Sequence, residues 1–218
     1  MRRVTPKKED YLKIIFELGG KTSKISNKQV AVSLNVAAGS VTEMVNKLAK
    51  DGLIIHAPYA GISLTEEGVK VAEALIRRHR IWETFLVEKL GYKLADVHKD
   101  AEVLEHTVSE ELIDRLEDFL GHPQKCPHGS VIPSKDGVYP EDSHVVLNDL
   151  KPGQSAEVEH FIDNHDLLEY LADVKLNIGD QVEILEKLPF EGPLNVKVLN
   201  TGEEISIGYK AAHYIFVK

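Results

Sequence analysis

Residues 26–50 read SNKQVAVSLNVAAGSVTEMVNKLAK, and this stretch decides the fold of the first part of the chain. It opens with a capping box, because Ser26 is followed three residues later by Gln29 and each side chain can bond the other residue's backbone N–H. A turn at Asn35-Val36 separates this short helix from a second one. The apolar side chains of the second helix recur at helical spacing, at Val41, Met44, Val45 and Leu48. Two short helices joined by a tight turn predict a helix-turn-helix whose second helix reads DNA.

The flanking segments predict a winged form of this motif. Upstream, a helix begins at Thr5-Pro6 and ends at Gly19-Gly20. Downstream, the segment LIIHAPYAGISLT holds two short β-type runs, 53–56 and 62–64, around a turn at 58–61. Such a hairpin directly after the recognition helix is typical of a wing.

Helical patterns continue beyond the wing. Thr65 caps a long helix that runs to about residue 90, and further helices are predicted at 96–107 and 110–120, with Asp96 and Ser109 as caps.

After these helices the pattern changes to strands. Residues 121–144 are rich in Pro, Gly, Ser and Asp, which predicts a loop. From about residue 150, strand-like runs alternate with turn signals, and one helix is predicted near 166–172. This pattern predicts a small antiparallel barrel.

Charge is uneven along the chain, which carries a net charge of -9 at pH 7. Residues 1–65 hold 10 Lys and Arg against 5 Asp and Glu, whereas the remainder holds 16 against 30. A basic head on an acidic body is typical of a DNA-binding domain fused to a metal-sensing domain, although chance drift of charge gives the same pattern. No apolar run is long enough to cross a membrane, no secretory signal opens the chain, and Cys126 is the only cysteine. We therefore expect a cytoplasmic protein without a membrane partner.

Two groups of histidine and carboxylate side chains indicate metal binding. They are His79 with Glu83, spaced i, i+4, and His98, Glu102, Glu105 and His106, which lie within nine residues. On a helix these spacings put each group on one face. Burying imidazole and carboxylate together is costly without a partner, and a divalent cation binds both. The alternative for His79 and Glu83 is a solvated helix face, and His98 could instead orient a ligand or simply begin a helix.

The triplet Cys126-Pro127-His128 adds two further candidate ligands just beyond the helices. The alternative for a lone cysteine is a small buried hydrophobe. Donors that are mostly carboxylate and imidazole, with at most one thiolate, suit Mn²⁺ or Fe²⁺, whereas a structural zinc site more often has several cysteines. Ligand type alone does not exclude Zn²⁺.

A metal-dependent enzyme is the competing interpretation of these clusters. Di-metal carboxylate enzymes use Glu-x-x-His on paired helices. Here His106 directly follows Glu105 and lies four residues after Glu102, so that template does not fit. The sequence also offers no evident nucleophile or phosphate-binding loop.

The order of these features resembles the diphtheria toxin repressor family of metal-dependent transcriptional repressors, and within it the manganese-responsive regulators of Gram-positive cocci. The segments that carry the likeness are KEDYLKIIFELG, VTEMVNKL, HRIWETFLVEKLGY, AEVLEHTVSEELIDRLE and CPHGSVIP. The likeness is strong over residues 7–133 and weaker beyond them, where the chain resembles the SH3-like module of longer members.

This resemblance implies a mostly α fold with a small all-β domain. A winged helix-turn-helix domain would span 1–73, a helical dimerisation and metal-binding domain 74–144, and an SH3-like domain 145–218. It implies a homodimer that binds double-stranded operator DNA when activated by a metal and that controls metal uptake.

The resemblance also implies two metal sites in each subunit. One would use Glu83, Cys126, His128 and Asp163, and the other Asp10, His79, Glu102, Glu105 and His106. Asp166 and His165 are alternatives to Asp163, and His98, a ligand in some iron-sensing members, has no assigned role. Iron-responsive members carry Met at position 10 and Cys at position 102, so the oxygen donors here favour Mn²⁺ over Fe²⁺.

Candidate DNA contacts lie mainly on the recognition helix. They are Ser40, Thr42, Lys47 and Lys50, with Lys28, Arg2, Arg3, Lys7 and Lys8 as further phosphate contacts. The alternative for each lysine is plain solubility. The helix starts with Ala37-Ala38-Gly39-Ser40 in place of the family's usual Ser and Pro, so the operator sequence cannot be transferred.

Overall fold

The computed structural model describes residues 4–57, 61–135 and 145–218. The helices are α1 (Pro6–Glu17), α2 (Asn27–Ser33), α3 (Ala38–Lys50), α4 (Glu66–Leu90), α5 (Val97–Leu104), α6 (Glu110–Leu120), α7 (His165–Asp173) and α8 (Tyr209–Ala212). The strands are β1 (Ile54–Ala57), β2 (Gly61–Leu64), β3 (Ser155–Phe161), β4 (Gln181–Lys187), β5 (Leu194–Val198), β6 (Glu204–Ile207) and β7 (Ile215–Val217). Among the described residues, no helix combines the length and the apolar character needed to cross a bilayer.

The described residues form two compact units. Residues up to 79, together with 133–135, form the first unit, and residues 80–132 with 145–218 form the second.

The first unit is a helix-turn-helix with a wing, as predicted. The capping box is confirmed, because the Gln29 N–H donates to Ser26 Oγ at 3.2 Å and the Ser26 N–H donates to Gln29 Oε1 at 2.9 Å. Strands β1 and β2 pair antiparallel as the wing, and the predicted turn at 58–61 lies largely outside the described residues. The apolar sides of α1–α3 and the wing form one core, in which the fully buried side chains include Leu12, Ile15, Leu48 and Ile62. Burial of each such side chain contributes about 1.5–3 kcal/mol.

The helical part of the second unit differs from prediction at the end of α5. The predicted helix 96–107 begins at Val97 and already ends at Leu104. The N–H and the hydroxyl of Thr107 both donate to the Leu104 carbonyl at 3.1 Å, which closes a tight turn in place of another helical turn. Ser109 then caps α6 by accepting the Leu112 N–H at 3.2 Å, whereas Asp96 makes no side-chain cap bond to α5. Two candidate ligands at 105 and 106 therefore follow the helix and do not lie on it.

The β part of the second unit is a five-stranded antiparallel sheet in the order β6-β5-β4-β3-β7. Its core is formed by the alternate inward residues of the strands and by the apolar side of α7, for example Val182, Ile184, Val196 and Leu171. The predicted small β domain and the helix near 166–172 are confirmed. Strand β3, which reads SAEVEHF, was missed because it lacks a run of β-branched residues.

A tight turn joins the helical and β parts of the second unit. The turn Cys126–Gly129 is closed by the Gly129 N–H, which donates to the Cys126 carbonyl at 2.8 Å. The Phe161 N–H at the end of β3 donates to the His128 carbonyl at 3.1 Å. A Cβ at residue 129 would lie 2.2 Å from the Glu159 carbonyl oxygen, and φ there is +85°. The turn can approach β3 this closely only because residue 129 is glycine.

We expect Gly129→Ala to destabilise the second unit more than the matched change Gly153→Ala. Both glycines have positive φ, +85° and +83°, so both variants share a backbone cost of about 1–2 kcal/mol. Only residue 129 has a backbone atom in the way, which adds about 1–3 kcal/mol, since nothing lies within 4 Å of a Cβ at 153. Urea unfolding of the metal-free protein, followed by circular dichroism, measures both. Equal unfolding midpoints for the two variants would contradict the close approach.

Candidate metal centre

Three distant segments of the second unit bring candidate ligands together. Glu83 lies in the middle of α4, Cys126 and His128 lie in the turn after α6, and Asp163 follows β3. Glu83, Cys126 and His128 are 1%, 6% and 2% exposed, and each offers a ligand atom within 4.8 Å of those of the other two.

The imidazole of His128 lies between the two carboxylates of this group. Its Nδ1 is 3.3 Å from Glu83 Oε2, and its Nε2 is 3.6 Å from Asp163 Oδ1 and 3.4 Å from the Leu94 carbonyl. Nδ1 is fully buried and forms no hydrogen bond of normal geometry with the described residues. A buried nitrogen without a hydrogen-bond partner calls for an explanation, and an ion held by Glu83, Cys126 and His128 would supply the missing partner.

The electrostatics of the pocket are those of a cation site. Burial lowers the pKa of His128, but the contacts with Cys126 and Glu83 and the charge of Asp163 outweigh burial and raise the pKa to about 11. The group is therefore negative enough to hold a proton on a buried ring at neutral pH. A divalent cation would relieve the same excess of negative charge.

The residues present fit a divalent metal. One thiol, one imidazole and two carboxylates are the donor types that Mn²⁺, Fe²⁺ and Zn²⁺ accept in proteins. The two alternatives to Asp163, His165 and Asp166, lie at the start of α7, where His165 Nδ1 donates to the Ala95 carbonyl at 2.7 Å and lies 3.8 Å from Asp96 Oδ1.

His98 contacts two carboxylates at once. Its Nδ1 contacts Asp163 Oδ2, and its Nε2 lies 3.1 Å from Glu102 Oε1. Sequence reasoning left His98 without a role, because its partner Asp163 is 65 residues away and no local pattern links the two.

The second predicted ligand set is divided between the two units. Glu105 is 2% exposed, and its Oε1 lies 3.5 Å from His106 Nε2 in the turn after α5. Glu102 is on α5 itself, in the same unit. Asp10, on α1, and the buried His79, on α4, belong to the first unit.

The candidate DNA contacts on α3 are solvent-exposed. They are Ser40, Thr42, Lys47 and Lys50, and Lys28 is exposed on α2. Two of them also bond within the helix, since the Thr42 hydroxyl donates to the Ala38 carbonyl at 3.1 Å and Lys47 pairs with Glu43 at 2.6 Å. Lys8 pairs with Asp51 at 2.5 Å, and Arg2 and Arg3 lie outside the described residues.

We expect the ring of His128 to stay protonated in the metal-free protein until the pH approaches about 11. Because this pKa is raised above the ordinary 6.5, the charged ring stabilises the fold fully below about pH 6.5, and this contribution is lost as the pH rises through about 11. Removing the neighbouring charge with Glu83→Gln should lower the pKa of His128, whereas the exposed control Glu111→Gln should not change it. NMR of histidine-labelled protein measures the titration. A wild-type ring that titrates near 6.5 would contradict the negative pocket.

Comparison with known proteins covers nearly the whole chain. Residues 3–62 match the family model "Iron dependent repressor, N-terminal DNA binding domain", residues 65–134 match "Iron dependent repressor, metal binding and dimerisation domain", and residues 145–218 match the FeoA domain. Among curated relatives, the HTH-type transcriptional regulator MntR of Lysinibacillus sphaericus is 35% identical over 123 residues, which cover 56% of this chain and 88% of the relative.

Two solved structures are similar to this chain over nearly its whole length. A manganese-dependent transcriptional repressor in complex with manganese superposes with a TM-score of 0.90 at 36% identity, covering 96% of this chain and 98% of that one. ScaR with bound Zn²⁺ gives a TM-score of 0.85 at 39% identity, covering 97% of this chain and 98% of that one. The chain therefore belongs to the diphtheria toxin repressor family, whose members are metal-dependent transcriptional repressors and not enzymes.

Proposed function

We propose that this protein is a manganese-activated repressor that binds operator DNA as a homodimer in the cytoplasm and controls genes of metal uptake. The observation that carries the proposal is the buried group of Glu83, Cys126 and His128, with the Asp163 carboxylate 3.6 Å from His128, in a chain that also presents an exposed recognition helix.

The choice of Mn²⁺ rests on the donors. The proposed first site is Glu83, Cys126, His128 and Asp163, and the proposed second site is Asp10, His79, Glu102, Glu105 and His106. Together they contain a single sulfur, and carboxylate oxygens dominate, which suits a hard cation. The relative with a TM-score of 0.90 is described with manganese, which supports the same choice. Fe²⁺ and Zn²⁺ are the alternatives, since the matching family models are named for iron and ScaR has been solved with Zn²⁺.

The proposed mechanism follows from how the second site is divided along the chain. Asp10 and His79 belong to the unit that holds the helix-turn-helix, and Glu102, Glu105 and His106 belong to the other unit. Ligands drawn from both units would favour the arrangement in which they can converge. The recognition helices of a dimer must match half-sites one helical turn apart, or a multiple of it, so restricting this arrangement raises DNA affinity.

Exposed apolar side chains support a homodimer. Leu112 and Phe119 on α6 and Val103 on α5 are 43%, 66% and 66% exposed, within the segment that matches the dimerisation model. Large apolar side chains exposed on neighbouring helices are typical of a surface that a partner covers. A second copy of the chain fits the two-fold symmetry of operators.

We expect metal to tighten DNA binding roughly 10-fold to 100-fold, within the range of allosteric coupling in proteins. Fluorescence anisotropy with DNA from the gene's own upstream region, first with chelator and then with Mn²⁺, Fe²⁺ or Zn²⁺, measures this effect. The variant Cys126→Ser should weaken the response because a hydroxyl is a poorer ligand than a thiolate. Equal binding with chelator and with every metal would exclude the metal switch, and a stronger response to Fe²⁺ or Zn²⁺ would identify a different activator.

We expect Lys50→Ala on α3 to weaken operator binding uniformly across sequences and to lower the slope of log affinity against log salt by about 0.9 for each phosphate that the protein no longer neutralises. Lys210→Ala is the matched control, because Lys210 is also an exposed lysine and lies on α8 of the β part. Salt titrations of DNA binding at saturating metal compare the two variants. Identical slopes for the two variants would show that Lys50 neutralises no phosphate and contributes only to solubility.

A further inference from the structure

His98 occupies a position that neither proposed metal site accounts for. It lies in the first turn of α5, with its side chain 33% exposed. Both ring nitrogens are engaged by carboxylates, Nδ1 by Asp163 and Nε2 by Glu102 at 3.1 Å. Asp163 belongs to the first proposed site and Glu102 to the second.

The two oxygens of Asp163 face different partners. Oδ2 contacts His98, whereas Oδ1 lies 3.6 Å from His128 Nε2, the ring nitrogen that does not face Glu83. A carboxylate that is held through one oxygen presents the other in a fixed direction, which is how neighbouring residues orient metal ligands. His98 is therefore placed to aim Asp163 at the first site.

The same ring restrains Glu102. The Glu102 side chain is 56% exposed, so among the ligands described it has considerable rotational freedom to lose on binding. Contact of its Oε1 with His98 at 3.1 Å limits that freedom, and the limit becomes tighter when the ring of His98 is itself held fixed. Glu83, His98 and Asp163 each offer a ligand atom within 4.8 Å of those of the other two, so direct ligation by His98 is the alternative. The contacts of both ring nitrogens with carboxylates support the positioning role.

We propose that His98 couples the two metal sites: by contacting Asp163 and Glu102 through one ring, it lets occupancy of the first site order a ligand of the second. Binding at the first site fixes Asp163, Asp163 fixes the ring, and the ring fixes Glu102 before the second cation arrives. The conformational entropy of Glu102 has then already been lost, so the second cation binds with higher affinity. This inference rests on the proposed function, because it assumes that both sites bind metal.

The test measures Mn²⁺ binding to the full-length, chelator-treated protein by isothermal titration calorimetry, and counts nitrogen ligands by pulsed electron paramagnetic resonance. The variants are His98→Ala, Cys126→Ser and the double change, which form a mutant cycle. His122→Ala is the matched control, since this histidine is also near a carboxylate, Asp118 at 3.6 Å, but is 65% exposed at the end of α6.

We expect wild-type protein to bind two Mn²⁺, and Cys126→Ser to weaken the second site roughly 5-fold or more because the coupling is removed. His98→Ala should keep both equivalents and the same nitrogen count, weaken binding roughly 10-fold to 100-fold, and remove the effect of Cys126→Ser on the second site. His98→Gln, which keeps a hydrogen-bonding group, should be intermediate, and His122→Ala should match wild type.

Three results would overturn the inference. Loss of one Mn²⁺ equivalent or of one nitrogen ligand in His98→Ala would make His98 a ligand. Unchanged affinity and coupling in His98→Ala would leave it without a role, while the proposed function would stand. Wild-type protein that binds fewer than two Mn²⁺ would overturn the two-site proposal itself, and the coupling with it.

Discussion

A close backbone contact, with no room for a methyl group at residue 129, holds the turn Cys126–Gly129 against the end of β3. Residue 129 meets the Glu159 carbonyl, and the neighbouring His128 carbonyl accepts the Phe161 N–H. Cys126 and His128 are consequently fixed relative to the end of β3, and Asp163 follows two residues after that strand. The backbone positions of Cys126, His128 and Asp163 relative to one another thus depend on main-chain packing.

This rigidity has an electrostatic consequence. Donors that cannot move apart must tolerate each other's charge, and in the metal-free protein a proton on His128 offsets part of it. A buried pocket with unbalanced charge contributes little to stability and can even oppose folding. The same imbalance would favour a cation in the pocket, and binding one would offset this unfavourable contribution.

The sequence predicted the features that depend on local chemistry. The capping box at Ser26 and Gln29, the helix-turn-helix and the wing strands follow from residue types a few positions apart, and the structure has them. The end of α5 was predicted wrongly because the alternative bonds made by Thr107 compete with a helix of adequate propensity. Strand β3 was missed because its polar residues resemble a loop until its neighbours β4 and β7 are known.

The candidate metal site, like the fold, could be predicted only where its residues are close together in the sequence. Pairs close in sequence, such as Glu105 with His106 or Cys126 with His128, were visible as clusters. The contacts of His98 with Asp163, and of His128 with Glu83, join residues dozens of positions apart, and no periodicity reports them. The resemblance to a known family supplied the grouping that local patterns could not.

Glu83, His128 and Asp163 are far apart along the chain, so they are synthesised at different times. During synthesis the α4 donor leaves the ribosome long before the donor that follows β3, and β3 needs β4 and β7, which are made later still, to become a strand. A nascent or truncated chain can therefore fold its DNA-binding helices before its pocket is complete. The proposed metal site would therefore be complete only after β7, which pairs with β3, has been made.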